Sequence, residues 1–122
     1  MELRICEKCG AIVEVLKDCT CESCGIKCCG EQTKAVVPNS VDASFEKHIP
    51  SIEVVGSYIE VTVNHVMEDE HYIEWVALEN DKISARKYFK SGEVLKAIFP
   101  YIKGSKVYSY CNKHGLWVKE VE

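Results

Sequence analysis

The chain has 122 residues, enough for one compact domain and a small appendage. Hydrophobic residues make up 47% and charged residues 28%, the balance of a soluble globular protein. The net charge of −4 argues against a phosphate-binding surface, and so against nucleic-acid partners. The opening residues, Met1-Glu2-Leu3-Arg4-Ile5-Cys6, hold no apolar core of signal-peptide length. No apolar run approaches the roughly 18 residues of a membrane span. A cytoplasmic protein without membrane contact is expected.

Residues 1–35 form the first segment, rich in cysteine and short of large apolar side chains. Of the eight cysteines, all but Cys111 lie at or before Cys29. Without an export signal, clustered thiols stay reduced, and they are better explained as metal ligands than as disulfides. A bound metal substitutes for the core that so short a segment cannot build. Ala11–Leu16 can supply one small strand. Gly10, Gly25 and Gly30 each follow a cysteine directly, where glycine lets the backbone turn tightly around a metal.

From Val36 to Glu122 the character becomes β. Ser51–Val55 and Tyr58–Val63 are rich in valine and isoleucine, and Gly56-Ser57 between them suits a two-residue hairpin with glycine first. His71–Leu78 and Lys82–Phe89 follow. Ser91-Gly92 turns the chain into Val94–Ile98, which is read as a strand although Leu95–Phe99 alone could be helical. Lys106–Tyr110 and Leu116–Val121 complete the series. Short strands at this spacing predict a mainly β fold, a β-sandwich.

All four histidines, His48, His65, His71 and His114, fall in this second segment, each at a strand edge or in a loop. Cys111 stands three residues before His114, so one turn can aim sulfur and imidazole at a common point. His65 and His71 bracket a polar turn. His48 sits before Ile49-Pro50, where proline holds the residue preceding it extended. Singly, each histidine is more often a hydrogen-bonded surface residue, and Cys111 a small buried hydrophobe. Jointly they make a metal site, for which zinc, iron and copper all remain open by spacing alone.

The sequences around these residues narrow the choice. Val41-Asp42-Ala43-Ser44-Phe45-Glu46-Lys47-His48-Ile49-Pro50, His65-Val66-Met67, Glu70-His71-Tyr72-Ile73-Glu74-Trp75 and Cys111-Asn112-Lys113-His114-Gly115-Leu116-Trp117 resemble the superoxide reductase family, which includes desulfoferrodoxin and neelaredoxin. The resemblance covers about residues 36 to 122, with the motifs in the family's order. Val66 departs from the family's usual proline. The resemblance implies an immunoglobulin-like sandwich and a mononuclear iron, cycling between ferrous and ferric. Its ligands would be His48, His65, His71 and His114 in a plane with Cys111 on the axis, leaving a sixth position open. It also implies one-electron reduction of superoxide to hydrogen peroxide. Lys47 would attract the anion and position water for protonation, and Glu46 would help product leave. The electron would come from rubredoxin or another small redox protein, and a homodimer is expected.

The first segment resembles the desulforedoxin-like part of desulfoferrodoxin at Cys6-Glu7-Lys8-Cys9 and Cys28-Cys29, where four thiolates hold a rubredoxin-type iron. Cys19, Cys21 and Cys24 are additional, and Cys21-x-x-Cys24-x-x-x-Cys28 is similar to methanoferrodoxin, a variant that carries a [4Fe–4S] cluster. A [4Fe–4S] cluster is therefore favoured over a single iron. Its expected ligands are Cys6, Cys9, Cys28 and Cys29, with Cys21 and Cys24 as substitutes. Two other functions compete. One is a non-catalytic electron carrier, disfavoured by Glu46 and Lys47. The other is a zinc-ribbon interaction module, which leaves the histidines unexplained.

Overall fold

The structure, a computed structural model, describes residues 1–22 and 25–122. It divides into two compact units, Met1–Val37 and Pro38–Glu122. Among the described residues, no helix is long and apolar enough to cross a membrane.

The first unit is built from very short strands: β1 (Leu3–Ile5), β2 (Ile12–Glu14), β3 (Lys27–Cys28), β4 (Glu31–Gln32) and β5 (Lys34–Ala35). β1 lies between β2 and β5, antiparallel to both. β3 and β4 form a separate hairpin with Cys28 opposite Glu31. Its loop is Cys29-Gly30, and both residues have positive φ, 52° and 76°. A type I′ turn requires that conformation twice, which is why glycine occupies the second place. Cysteine in the first place is an uncommon choice for positive φ. Leu3, Cys6 and Thr33 are the buried residues of this unit among those described, so its apolar core is minimal.

The second unit holds β6 (Ser51–Val55), β7 (Tyr58–Thr62), β8 (Ile73–Glu79), β9 (Ser84–Tyr88), β10 (Lys96–Pro100), β11 (Lys106–Cys111) and β12 (Gly115–Glu120). One sheet runs β10-β7-β6 and the other β12-β11-β8-β9, all neighbours antiparallel. Alternation decides the faces. β7 and β10 bury every second residue, and Ile59, Val61, Ala97 and Phe99 point inward. They meet Ile73, Val76, Leu78 and Val107 of the other sheet in one core that also contains Cys111. This seven-stranded, two-sheet arrangement is the expected immunoglobulin-like sandwich. Gly56 has φ 62° and joins β6 to β7 in the expected hairpin.

Three strands of this unit begin two residues later than the sequence expectation. β9 begins at Ser84, not Lys82, after a turn in which the Asn80 side chain accepts from the Lys82 and Ile83 amides at 2.9 Å each. β10 begins at Lys96, not Val94. The Glu93 carboxylate accepts from the Lys90 amide at 2.7 Å, and the Glu93 amide donates to the Lys90 carbonyl, so the turn extends past Ser91-Gly92. β8 begins at Ile73, because His71 pairs with Glu68 in an isolated bridge instead of joining the sheet.

Ahead of β6, the chain makes a single 3-10 turn, Phe45–Lys47. The loop leading to it is pinned by Asn39. That side chain accepts from the Val118 amide at 2.9 Å and donates to the Val118 carbonyl at 3.3 Å, extending the pairing of β12 where no strand continues. Gly115 (φ 78°) lies close beneath the loop, where an added Cβ would meet Val41 at 3.3 Å.

Candidate metal centres

At one end of the sandwich, His48, His65, His71, His114 and Cys111 bring one donor atom each within 4.8 Å of one another. They arrive from three connections of the chain. His48 ends the 3-10 turn, His65 and His71 flank the loop from β7 to β8, and Cys111 and His114 bound the turn from β11 to β12.

The imidazoles form a closed square. Ring centroids are 4.8 Å apart for His48–His65, 4.6 Å for His65–His71, 5.0 Å for His71–His114 and 4.9 Å for His114–His48, with neighbouring planes at 65° to 86°. Four nitrogens at ~2.1 Å from a common centre stand about 3 Å apart along the edges of a square. His48 Nε2 and His114 Nδ1 are 3.1 Å apart. Cys111 Sγ lies 3.4 Å from His65 Nε2 and 3.7 Å from His114 Nδ1, two opposite corners, as an axial donor would.

The rings are oriented from behind. His48 Nδ1 faces the Ser44 carbonyl at 2.6 Å, and His65 Nδ1 faces that of Val66 at 2.6 Å. A carbonyl can only accept, so the proton sits on Nδ1 and the Nε2 lone pair is left for the centre. His71 Nε2 is buried without a hydrogen-bond partner. A buried acceptor without a donor calls for an explanation, and a cation in the square supplies it. The donor set therefore fits a single transition-metal ion. Four imidazoles and one thiolate suit iron, and exceed the four ligands typical of structural zinc.

Electrostatics agree with this. Desolvation is the main cause that pushes His48, His65 and His71 below the ordinary imidazole value, and the charges of facing histidines lower them further. Burial pushes the Cys111 thiol up, against the Lys113 and His114 amides that donate toward its sulfur. Without metal, His48, His65 and His71 thus favour the neutral imidazole and Cys111 the protonated thiol, and loading a cation releases a proton from Cys111.

A pH dependence follows. Histidines with depressed folded-state pKa add stability that is complete above their unfolded value, 6.5, and that is lost as pH falls through the lower folded value. Thermal melts of metal-free protein are expected to drop as pH falls below about 6.5. The slope should be smaller in His71→Gln, and an identical slope in that variant would contradict the assignment.

The square's other face opens into a cavity of about 400 Å³ lined by Asp42, Ala43, Ser44, Lys47, Val66 and Glu68 beside the four imidazoles. Cys111 does not line it. Lys47 therefore faces the open side. Glu46 is exposed on the same turn and is not among the residues that line the cavity, whereas Glu68 is.

One site residue is easily missed in sequence. Asn112 accepts from the Tyr72 amide at 3.1 Å, donates to the Glu70 carbonyl at 3.0 Å, and its own amide donates to the Tyr72 carbonyl at 3.2 Å. These bonds clamp the His71 loop to the Cys111–His114 turn, at the place where the β8–β11 register shifts between Tyr110 and Cys111. The only sequence signal is its position inside Cys-x-x-His.

The first unit gathers Cys6, Cys9, Cys28 and Cys29, again with sulfurs within 4.8 Å of one another. Cys9 and Cys28 sulfurs are 3.6 Å apart, and those of Cys28 and Cys29 3.9 Å. Cys21 is exposed and lies outside this group of four, and Cys24 lies outside the described residues. The amides of Cys9 and Lys8 donate to the Cys6 sulfur and lower its pKa to about 7, while hydrogen bonds with Cys9 and Cys6 are the leading causes that raise Cys28 to about 12. Neighbouring thiols thus hold Cys28 and Cys29 protonated until a cation joins the group. The Cys6–Cys9 and Cys111–His114 turns share a design. In each, the amides two and three residues on point at the first sulfur, and a positive-φ glycine follows, Gly10 or Gly115.

A family model described as desulfoferrodoxin matches residues 40–120. A desulfoferrodoxin of Syntrophotalea carbinolica is 41% identical, with 98% of this chain and 96% of that protein aligned. One of Nitratidesulfovibrio vulgaris is 40% identical, with 98% and 95% aligned. A superoxide reductase structure from Treponema pallidum superposes with a TM-score of 0.70 at 29% identity, covering 98% of this chain and all of that one. A superoxide reductase (neelaredoxin) from Ignicoccus hospitalis gives a TM-score of 0.51 at 30% identity, over 64% of this chain and 80% of that one.

Proposed function

The chain belongs to the superoxide reductase/desulfoferrodoxin family, and from that premise we propose that it reduces superoxide to hydrogen peroxide at a mononuclear iron held by His48, His65, His71, His114 and Cys111. The observation that carries the reading is the square of imidazoles with sulfur on one side and a cavity on the other. When bound in ferrous form, the iron supplies the single electron that, with two protons, converts superoxide to hydrogen peroxide.

The chain's own residues supply the rest. The cavity admits a small anion from the side away from Cys111. The Lys47 cation draws the anion in and holds water as the proton source. Glu46, on the same turn, is proposed to assist product release. Asp42 and Glu68 keep the mouth from being uniformly cationic, which limits retention of larger anions. An external one-electron donor, rubredoxin or another small redox protein, restores the ferrous state. A cytoplasmic setting belongs to this reading, because the ligand thiols must stay reduced.

Lys47 separates catalysis from simple electron carriage, since a carrier has no use for a cation at an open face. Lys47→Ala is expected to lower the second-order rate with superoxide by roughly tenfold or more and to flatten its dependence on ionic strength. Pulse radiolysis of the ferrous protein measures both. Kinetics equal to the parent's at every salt concentration would remove Lys47 from the mechanism.

For the N-terminal centre, the sulfur spacing favours a single tetrahedral ion over the [4Fe–4S] cluster. Four sulfurs at ~2.3 Å from one ion are about 3.8 Å apart, close to the 3.6 and 3.9 Å found here. A four-iron cube places its own iron and sulfide between the cysteines and needs them farther apart. The proposed ligands are Cys6, Cys9, Cys28 and Cys29, holding a rubredoxin-type iron.

A further inference from the structure

Trp117 touches three parts of the catalytic site at once. Its indole stacks on the His48 ring, centroids 4.9 Å apart and planes at 20°. Its Nε1–H donates to the His114 carbonyl at 3.1 Å. The Phe45 ring meets it edge-on at 6.0 Å and 72°, and Phe45 begins the 3-10 turn that carries Lys47. The side chain is 2% exposed.

Its neighbour completes the support. Ser109 is the cross-strand partner of Trp117 in the β11–β12 ladder. The Ser109 hydroxyl donates to the His48 carbonyl at 2.6 Å, a fully buried bond. The pair grips His48 at both ends, the backbone by Ser109 and the ring by Trp117. His48 reaches the centre from a loop, with no strand to fix it. Its Nδ1 bond to Ser44 fixes which nitrogen faces the centre but leaves the ring free to tilt about that bond. The indole face removes that freedom. The Nε1 bond meanwhile fixes the carbonyl end of the Cys111–His114 turn, and so the direction of His114 Nδ1.

Resting on the iron reading above, we propose that Trp117 is a positioning residue of the catalytic centre. It sets the His48 ring plane and the His114 approach together and couples both to the turn bearing Lys47. An indole suits the place because it joins a broad apolar stacking face to an uncharged N–H at its edge. A buried tryptophan serving the core alone would tolerate loss of either feature without consequence for the metal.

The test uses the full-length iron-loaded protein in the native, Trp117→Phe and Trp117→Leu forms, with Val107→Ala as a core variant remote from the site. The readouts are the sulfur-to-iron charge-transfer band of the ferric form, its EPR anisotropy, the midpoint potential and the melting temperature. Phenylalanine keeps a stacking face and loses the N–H; leucine loses both. A graded change is expected. Trp117→Leu should shift band, EPR and potential and slow superoxide capture roughly tenfold, below the ~100-fold that a 1 Å misplacement can cause. Trp117→Phe should shift them less. Val107→Ala should lower the melting temperature alone. If neither Trp117 variant moves the band, the EPR signal or the potential, the proposal is overturned, whatever happens to stability. If Trp117→Leu does not fold, an unshifted Trp117→Phe overturns it alone. A native protein that binds iron without any sulfur-to-iron band overturns the iron reading itself, which is a distinct result.

Discussion

Cys111→Ala is expected to leave a folded sandwich that no longer reduces superoxide at a useful rate. The residue is fully buried in the core cluster, and losing its sulfur leaves a space of about one heavy atom, a cost of roughly 1 kcal/mol. The chemical loss is far larger. The thiolate is the one anionic donor in the set, and an axial thiolate pushes electron density toward a metal. Removing groups that merely orient a ligand costs 10–100-fold in affinity or activity, so removal of the ligand should cost at least about 100-fold. Stopped-flow mixing of the ferrous variant with superoxide, alongside an iron count, measures it. A variant that retains iron and reacts within threefold of the native rate would contradict the axial assignment.

Cys28→Ser is expected to release the N-terminal ion and unfold residues 1–37 while residues 38–122 keep their fold. The first unit has strands of two or three residues and only Leu3, Cys6 and Thr33 buried among those described. That core cannot offset the entropy of ordering so long a segment. Metal binding to a structural four-ligand site contributes about 10–16 kcal/mol in small domains, more than the unit's apolar contacts. Cys28 also ends β3 against the strained Cys29-Gly30 turn, so the ion and the hairpin should be lost together. Hydrogen exchange read by mass spectrometry resolves the two segments. Unchanged protection within residues 1–37 would show that the unit folds without its ion.

The sandwich was legible because local signals and burial agree. Ser51–Val55 and Tyr58–Thr62 are β-branched runs around a glycine that must take positive φ. Val94 misled because it is apolar yet 83% exposed; alternation in β10 puts Ala97 and Phe99 inward and leaves Val94 just past the turn that Glu93 closes on Lys90. The five residues of the histidine–cysteine group were legible only through their motifs. Spacing cannot reveal that four rings close a square, since that depends on crossing points between loops 66 residues apart, as for His48 and His114. Asn112 and Trp117 act by hydrogen bonds and stacking to distant backbone and rings, and neither leaves a period in sequence. The four-cysteine set was legible from Cys-x-x-Cys and the adjacent pair, but the nuclearity was not. Sulfur-to-sulfur distance favours one ion, and cysteine count points the other way.

The most direct measurement is stoichiometric. The fully ferrous protein is mixed anaerobically with less than one equivalent of superoxide, and catalytic-site iron oxidation and hydrogen peroxide are both counted. The account requires one iron oxidised and one hydrogen peroxide formed per superoxide consumed, with no dioxygen released. Half an equivalent of peroxide with dioxygen evolved, or superoxide decay with the iron still ferrous, would contradict it.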